Sequence, residues 1–339
     1  MTADLRPMNL GEILDRTLQI YRSRFLVFLS IAAIPALAMR AIHIADALWF
    51  HTQSLLHPEG QPGTLMWSFV LWLGFYHISS FFGLLIQPAH INLASASILG
   101  EVSSISSALK LAVTRWRSYL WIAFLKTAGD LLIPEIATAG LFIGIGYSAD
   151  KAGLLDGGAN WPFVLMFIVP LVAGVYLLLR LGASLSLTVP ASALESLSGF
   201  RSLRRSWKLT RESRARIAST WLAIFVTSWI LSYTFQLLLA QLVFLLANAL
   251  HLKAVAHQVY LPVAYATATI VHALFGPIYP IAITLFYYDQ RIRREGYDIE
   301  WMMQRAGLVV PAPPQQEAEP LPVLQQSPHP TPAPSEGSL

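Results

Sequence analysis

Six separate stretches of this chain are apolar for long enough to cross the hydrocarbon core of a bilayer, and no other property of the sequence constrains its fold as tightly. A helix rising about 1.5 Å per residue needs roughly 20 apolar residues to cover ~30 Å. Phe25–Leu48, Leu65–Ile86, Tyr119–Tyr147, Trp161–Leu181, Ile217–Leu239 and Tyr260–Phe286 all meet that length. Charged residues are only 12% of the chain, against roughly a quarter in soluble domains, so lipid is the expected solvent for most of it. Pro35, Pro134, Pro170, Pro277 and Pro280 fall inside the runs and predict kinks, because neighbouring helices in a bundle can satisfy the carbonyls that proline frees.

The placement of lysine and arginine sets an orientation. Eighteen of them fall in the segments before the first, third and fifth runs and after the sixth, and two, Lys151 and Lys253, fall in the segments on the other side. This alternation predicts six spans with both termini in the cytoplasm. A rival reading takes Arg22, Arg24, the apolar stretch from Phe25 and Ala36-Leu37-Ala38 as a signal peptide with its cleavage site. The leader would be unusually long, and in either case Met39 ends outside. The 311–339 segment is crowded with proline, glutamine and serine and is expected to be a disordered tail. Pro311-Ala312-Pro313-Pro314 within it also fits a docking motif for a proline-binding domain. Having no cysteine, the chain has no disulfide framework, thiol catalysis or cysteine metal site.

Before the first, third and fifth runs lies a basic segment with helical apolar spacing: Leu10 to Phe25, Ile105 to Leu120 and Gly199 to Arg214. The three register without gaps on Leu14, Leu109 and Leu203, then on Arg22, Arg117 and Arg211. The expected fold is therefore an all-α membrane protein of about six transmembrane helices, in three repeats of an amphipathic interfacial helix plus a transmembrane hairpin. Its parts would be a cytoplasmic amphipathic helix at 1–24, a polytopic domain at 25–288 with interfacial helices near 104–118 and 198–214, a basic juxtamembrane segment at 289–310, and the tail. In the first copy Leu10, Ile13, Leu14, Thr17, Leu18, Tyr21 and Phe25 share a face, and Asn9 with Glu12 predicts a capping box. In the third, Phe200, Leu203 and Trp207 form a narrow apolar stripe flanked by Arg201, Arg204, Arg205, Lys208 and Arg211. Those five cations are the expected sites for anionic phospholipid headgroups, each nearby charge contributing about 1 kcal/mol. The plainer reading is that such charges only orient the helices.

Three segments carry a resemblance. Arg6-Pro7-Met8-Asn9-Leu10-Gly11-Glu12-Ile13-Leu14-Asp15-Arg16 with Tyr21-Arg22, Glu195 followed by Ser202-Leu203-Arg204-Arg205-Ser206-Trp207-Lys208-Leu209-Thr210, and Tyr287-Tyr288-Asp289-Gln290-Arg291-Ile292-Arg293-Arg294-Glu295-Gly296-Tyr297-Asp298 resemble a broad bacterial integral membrane family. That family is labelled by its likeness to the membrane domain of glycerophosphoryl diester phosphodiesterase. The resemblance spans roughly residues 5 to 303 and implies a multi-helix domain of the bacterial cytoplasmic membrane. It implies no activity, since the phosphodiesterase chemistry belongs to a separate metal-binding barrel for which this chain has no long enough soluble stretch.

Ionisable residues inside spans are functional candidates, because each costs about 2.5–3.5 kcal/mol at mid-helix on insertion scales. Arg40, Lys126, Asp130, Glu135 and Arg180 are the intramembrane polar candidates. Lys126 and Asp130 stand four apart and can pair; with Glu135 they would form a ladder at about 10, 16 and 24 Å depth, counted from Tyr119. A ladder suits a proton or cation path, and a salt bridge locking two helices is the structural alternative. Arg40, with His43 and Asp46 at three-residue intervals, and Arg180 both fit snorkelling near a span end. His77, His90 and His272 lack the i, i+4 pairing a helical metal site favours, so neither a metal nor another cofactor is expected.

The leading functional expectation is a non-enzymatic multi-pass protein that engages membrane lipid as an accessory or scaffold in envelope or lipid homeostasis. Its partners would be anionic phospholipids and other membrane proteins, not nucleic acid. The alternatives are a small transporter or channel using the intramembrane charges, and an intramembrane lipid-modifying enzyme using Asp130 or Glu135 with a histidine.

Overall fold

The computed structural model describes residues 5–56, 64–101, 104–152, 161–249 and 266–308. The proline-rich tail, Lys253, and the side chains of His43 and Asp46 lie outside the described residues. The described chain is helical: α1 (Leu10–Ser23), α2 (Phe25–Leu56), α3 (Thr64–Leu99), α4 (Ile105–Thr114), α5 (Trp116–Thr127), a π turn (Ala128–Leu132), α6 (Ile133–Lys151), α7 (Trp161–Leu185), α8 (Thr188–Glu195), α9 (Gly199–Thr210), α10 (Arg214–Ala249), α11 (266–275), α12 (Ile278–Glu295) and α13 (Tyr297–Arg305). Among the described residues five helical segments are long and apolar enough to cross a membrane, and α1 with the start of α2, bent by 92°, makes a sixth if counted as one span.

Burial separates two kinds of span. In the stretches Ser80–Leu99 and Ala266–Glu295, 56% of the most apolar window is buried, against 6% in Trp116–Lys151, Val164–Glu195 and Arg214–Ala249. The first two are therefore central and the other three peripheral. Ile136, Leu171 and Leu245 on the peripheral helices are each more than 60% exposed. A continuous apolar surface of this kind is what lipid contact requires and what a soluble protein avoids.

The core gathers at one end of the bundle, the end rich in arginine. Phe28, Leu93, Leu187, Ile281, Phe286 and Tyr287 are all buried there. At its centre is Asp289 of α12, fully buried, whose Oδ1 accepts from the Met8 backbone N–H at 2.8 Å and from Arg293 Nε at 2.9 Å, and whose Oδ2 accepts from Arg216 Nη1 at 3.1 Å. Both arginines also donate to the Met8 carbonyl. A second cluster lies beside it: Glu195 at the end of α8 accepts from Tyr287 Oη and from Arg205 Nε and Nη2, and Arg205 and Arg291 also bond Glu295. One carboxylate thus joins the amino-terminal segment, α10 and α12, and two more join α8, α9 and α12.

Several expectations change. The capping box forms, with Asn9 Oδ1 accepting from Glu12 N at 2.9 Å and Glu12 Oε2 from Asn9 N at 2.7 Å. The Asn9 N–H and the Arg6 guanidinium hold the Glu12 carboxyl below the usual carboxylate range. The buried stripe of α1, however, is Ile13, Thr17, Ile20 and Tyr21, with Leu18 about half exposed. It packs on α12 and not on lipid, because a long neighbouring helix offers the apolar face a close-packed partner. The second span, expected to stop at Ile86, continues as helix through Gln87 and Pro88 to Leu99. Its polar residues are tolerated because this end is buried in protein. α12 runs unbroken through residue 289 to Glu295, and the compact units divide between Tyr297 and Asp298. In the second unit, Arg305 lies over the Trp301 ring at 4.8 Å. A short helix does precede each pair of long ones, but the gapless register does not follow the helix breaks, which fall at Arg24, Arg115 and residues 211–213.

Asp289→Ala should leave Arg216, Arg293 and the Met8 N–H without their shared acceptor. A loss of about 2–3 kcal/mol in detergent unfolding is expected, in the range for hydrogen bonds to charged groups, with earlier proteolysis near Met8. Unchanged stability and protection would refute the central role given to this carboxylate.

Candidate functional site

The interrupted helix α5–π–α6 places an ion pair beside a cavity inside the bundle. A π turn widens the helix by one residue and recurs at functional sites. Here it occupies Ala128–Leu132 and carries Asp130, directly after Lys126 and Thr127. Gly129 allows the close approach of α7: a Cβ there would stand 2.6 Å from Leu185 Cδ1. Lys126, 5% exposed, donates to Asp130 Oδ2, so the expected ion pair is present.

The pair is not sealed. It lines a cavity of about 220 Å³ with Gln87 of α3, Thr127, Ser186, Trp221 of α10 and Tyr279 of α12. Asp130 Oδ1, Gln87 Oε1 and Thr127 Oγ1 are buried without a hydrogen-bond partner in the protein. Buried polar atoms are nearly always paired, and three orphans lining one cavity mark a place built to meet something else. Trp221 and Tyr279 also line a second cavity, of about 450 Å³, that holds Arg40, Thr269 and His272. Arg40 Nε donates to Thr269 Oγ1 at 2.8 Å, so this arginine is engaged across the bundle as well as near a span end.

Glu135 does not join Lys126 and Asp130 in one path. Its carboxylate meets His77 Nε2 of α3 at 2.8 Å. That pair lines a large apolar groove, about 1070 Å³, between α3, α6 and α7. The expected ladder is thus divided between two spaces, and Leu131 and Leu178 wall both. Arg180 faces neither carboxylate; it is exposed and shares a positive field with Arg211 and Arg214. Among the described residues no group of three or more metal-ligating side chains occurs.

The second candidate region is α9. Its inward face is Gly199, Ser202, Ser206, Leu209 and Thr210. Ser206 Oγ accepts from Leu187 N and donates to the Ser184 carbonyl at 2.7 Å, meeting backbone groups left over where α7 ends. Gly199, with φ +47°, starts the helix against Trp121, whose Cδ1 would lie 3.0 Å from any Cβ there. The expected stripe therefore points outward: Phe200 is 67% and Trp207 42% exposed, with Arg214 over the Trp207 ring at 4.4 Å. Arg201, Arg204, Lys208 and Arg211 are exposed beside them. Arg205 is separate, being held by Glu195 and Glu295.

Sequence reasoning paired Lys126 with Asp130 but missed Gln87, Thr127, Trp221, Tyr279 and the His77–Glu135 contact. Gln87 interrupting an apolar run beside Pro88 was the one usable signal.

Replacing Lys126 alone by Leu should destabilise the protein by about 3 kcal/mol by leaving Asp130 uncompensated. Lys126→Leu with Asp130→Leu should recover most of that loss in the same unfolding assay. Additive losses would mean that the two groups are not coupled.

No protein-family model, curated protein or solved structure matches this chain.

Proposed function

We propose that this is a non-enzymatic multi-pass protein of a bacterial cytoplasmic membrane, its termini cytoplasmic, whose arginine-rich end engages anionic phospholipids as an accessory or scaffold in envelope or lipid homeostasis. The observation that carries the reading is the outward face of α9, where exposed aromatic rings alternate with exposed cations. Aromatic rings suit the headgroup level and cations suit anionic lipid. With Arg205 committed to two carboxylates, the headgroup set is Arg201, Arg204, Lys208 and Arg211. In this reading α1–α3, α4–α7 and α9–α12 are three units of one plan, with α8 inserted. Arg24 and Arg115 support it, since each sits at a break between short and long helix and donates to carbonyls in the last turn or just past the end of another helix: Glu101 O for Arg24, and Ser192 O and Ser196 O for Arg115. Kinship with the phosphodiesterase-like membrane family is supported by the convergence of the three resembling segments, which meet through Met8, Glu195, Arg205, Asp289, Arg291 and Glu295.

A specific observation favours a second reading, as a transporter: two cavities containing charged residues adjoin Trp221 and Tyr279. Proteoliposomes that carry neither protons nor alkali cations faster than protein-free vesicles would end it.

The first reading is tested by measuring which lipids the purified protein retains. Phosphatidylglycerol should be enriched over phosphatidylcholine, and replacing Arg201, Arg204, Lys208 and Arg211 by Gln should reduce that enrichment at least tenfold, given about 1 kcal/mol per cation near the surface. An unchanged preference would sink the proposal.

A further inference from the structure

The orphaned atoms of the Lys126–Asp130 cavity specify a ligand. Gln87 Oε1 and Asp130 Oδ1 are acceptors without a donor, and the Thr127 hydroxyl is buried without either. Gln87, Lys126 and Thr127 are each at least nine-tenths buried, so these groups belong to the interior. Lys126 gives one N–H to Asp130 Oδ2, and its ammonium has further donors to offer. A fitting ligand therefore brings N–H donors for two oxygens and an anionic acceptor for the ammonium. Because Lys126 and Asp130 cancel in charge, a ligand with no net charge is favoured over an anion.

The surroundings say where the rest of that ligand lies. Leu131 and Leu178 wall both the polar cavity and the apolar groove lined by Ile136, Phe142, Phe167 and Leu171. Ile136, Phe167 and Leu171 are at least 60% exposed, so the groove faces the lipid side of the bundle. A polar pocket and an apolar groove that share the Leu131 and Leu178 side chains as wall suit the two ends of an amphiphile whose entry displaces those side chains.

We propose that this is an intramembrane site for a zwitterionic phospholipid bearing a primary ammonium. The ammonium bonds Gln87 Oε1 and Asp130 Oδ1, the phosphate takes Lys126 Nζ and the Thr127 hydroxyl, and the acyl chains lie in the groove. The site goes beyond the surface reading of α9 and rests on different residues. Its test uses lipids of zero net charge, between which the α9 cations do not discriminate.

The full chain, purified in detergent, is offered phosphatidylethanolamine or phosphatidylcholine with identical acyl chains, and retained lipid is counted by native mass spectrometry. The trimethylated headgroup has no N–H to donate, so phosphatidylethanolamine should be held roughly tenfold more tightly, the worth of one hydrogen bond to a charged group. Gln87→Leu, which leaves the ion pair intact, should shrink that preference severalfold, whereas Arg204→Gln with Lys208→Gln should leave it alone. Equal retention of the two lipids by the wild-type chain overturns the proposal without needing any variant to fold. A full preference surviving in Gln87→Leu overturns the site assignment. Competition by chain-free glycerophosphoethanolamine as strong as by the lipid overturns the role of the groove. Loss of phosphatidylglycerol enrichment in the α9 variants, with this preference intact, would separate the two sites.

Discussion

Everything at the arginine-rich end of this protein depends on burying the Asp289 carboxylate. A carboxylate with no exposure is tolerable only if its lone pairs are met and its charge is compensated. Met8 N–H, Arg216 and Arg293 do both, and because they come from the amino-terminal segment, α10 and α12, meeting the demand fixes three distant parts of the chain in one arrangement. The α1 capping box begins at Asn9, one residue past Met8, so the entry of α1 is set by the same contact. Glu195 extends the arrangement to α8 and α9 through Arg205 and Tyr287. A well-packed apolar substitute for both partners would hold comparable area at lower desolvation cost, whereas removing one partner alone strands a buried charge.

Fixing one end has a consequence for the other. The central helices are clasped by short helices and by each other, whereas α5–α6, α7 and α10 leave most of their apolar surface facing outward. Cavities form where these regimes meet, because the peripheral helices are positioned by their arginine-rich ends and by small residues such as Gly129, and no second layer presses them inward. The π turn belongs to the same boundary: Pro134 lacks an N–H, and just ahead of it the helix widens where Asp130 must turn toward Lys126.

Much of the architecture was legible in the sequence. Apolar runs reported the long helices, since crossing lipid imposes a length that periodicity need not supply, and the Asn9–Glu12 box was read because capping is a purely local interaction. What was misread shares one physical origin. Amphipathic spacing identifies a face but not its partner, so α1 was assigned to lipid though it packs on α12, and the apolar stripe of α9 gave no sign that Ser202 and Ser206 form its packing side. Asp289, Glu195 and Glu295 were noticed as parts of motifs, but the joining of distant elements was invisible, because Arg216 and Met8, the partners of Asp289 that stand 73 and 281 residues away, leave no local pattern. At the cavity, Lys126 and Asp130 were found by their i, i+4 spacing, whereas His77 and Glu135, 58 residues apart, were not.

The cavity is also where energetics argues most directly for a role beyond holding the bundle together. A lysine–aspartate pair inside a membrane bundle carries a desolvation cost that its attraction offsets only when every remaining lone pair is met. Here Asp130 Oδ1 is not met, and Gln87 Oε1 and Thr127 Oγ1 beside it are not met either. If stability alone governed the position, leucine at 126 and 130 would pack more cheaply and Gln87 would have no reason to face inward. Thr138 shows the contrast a few residues along the same helix: its hydroxyl bonds the Pro134 carbonyl and leaves nothing open. Around Lys126 three unmet atoms belong to residues that border one cavity, and that cavity shares wall residues with an apolar groove. An occupant with donors at one end and hydrocarbon at the other removes the deficit at both.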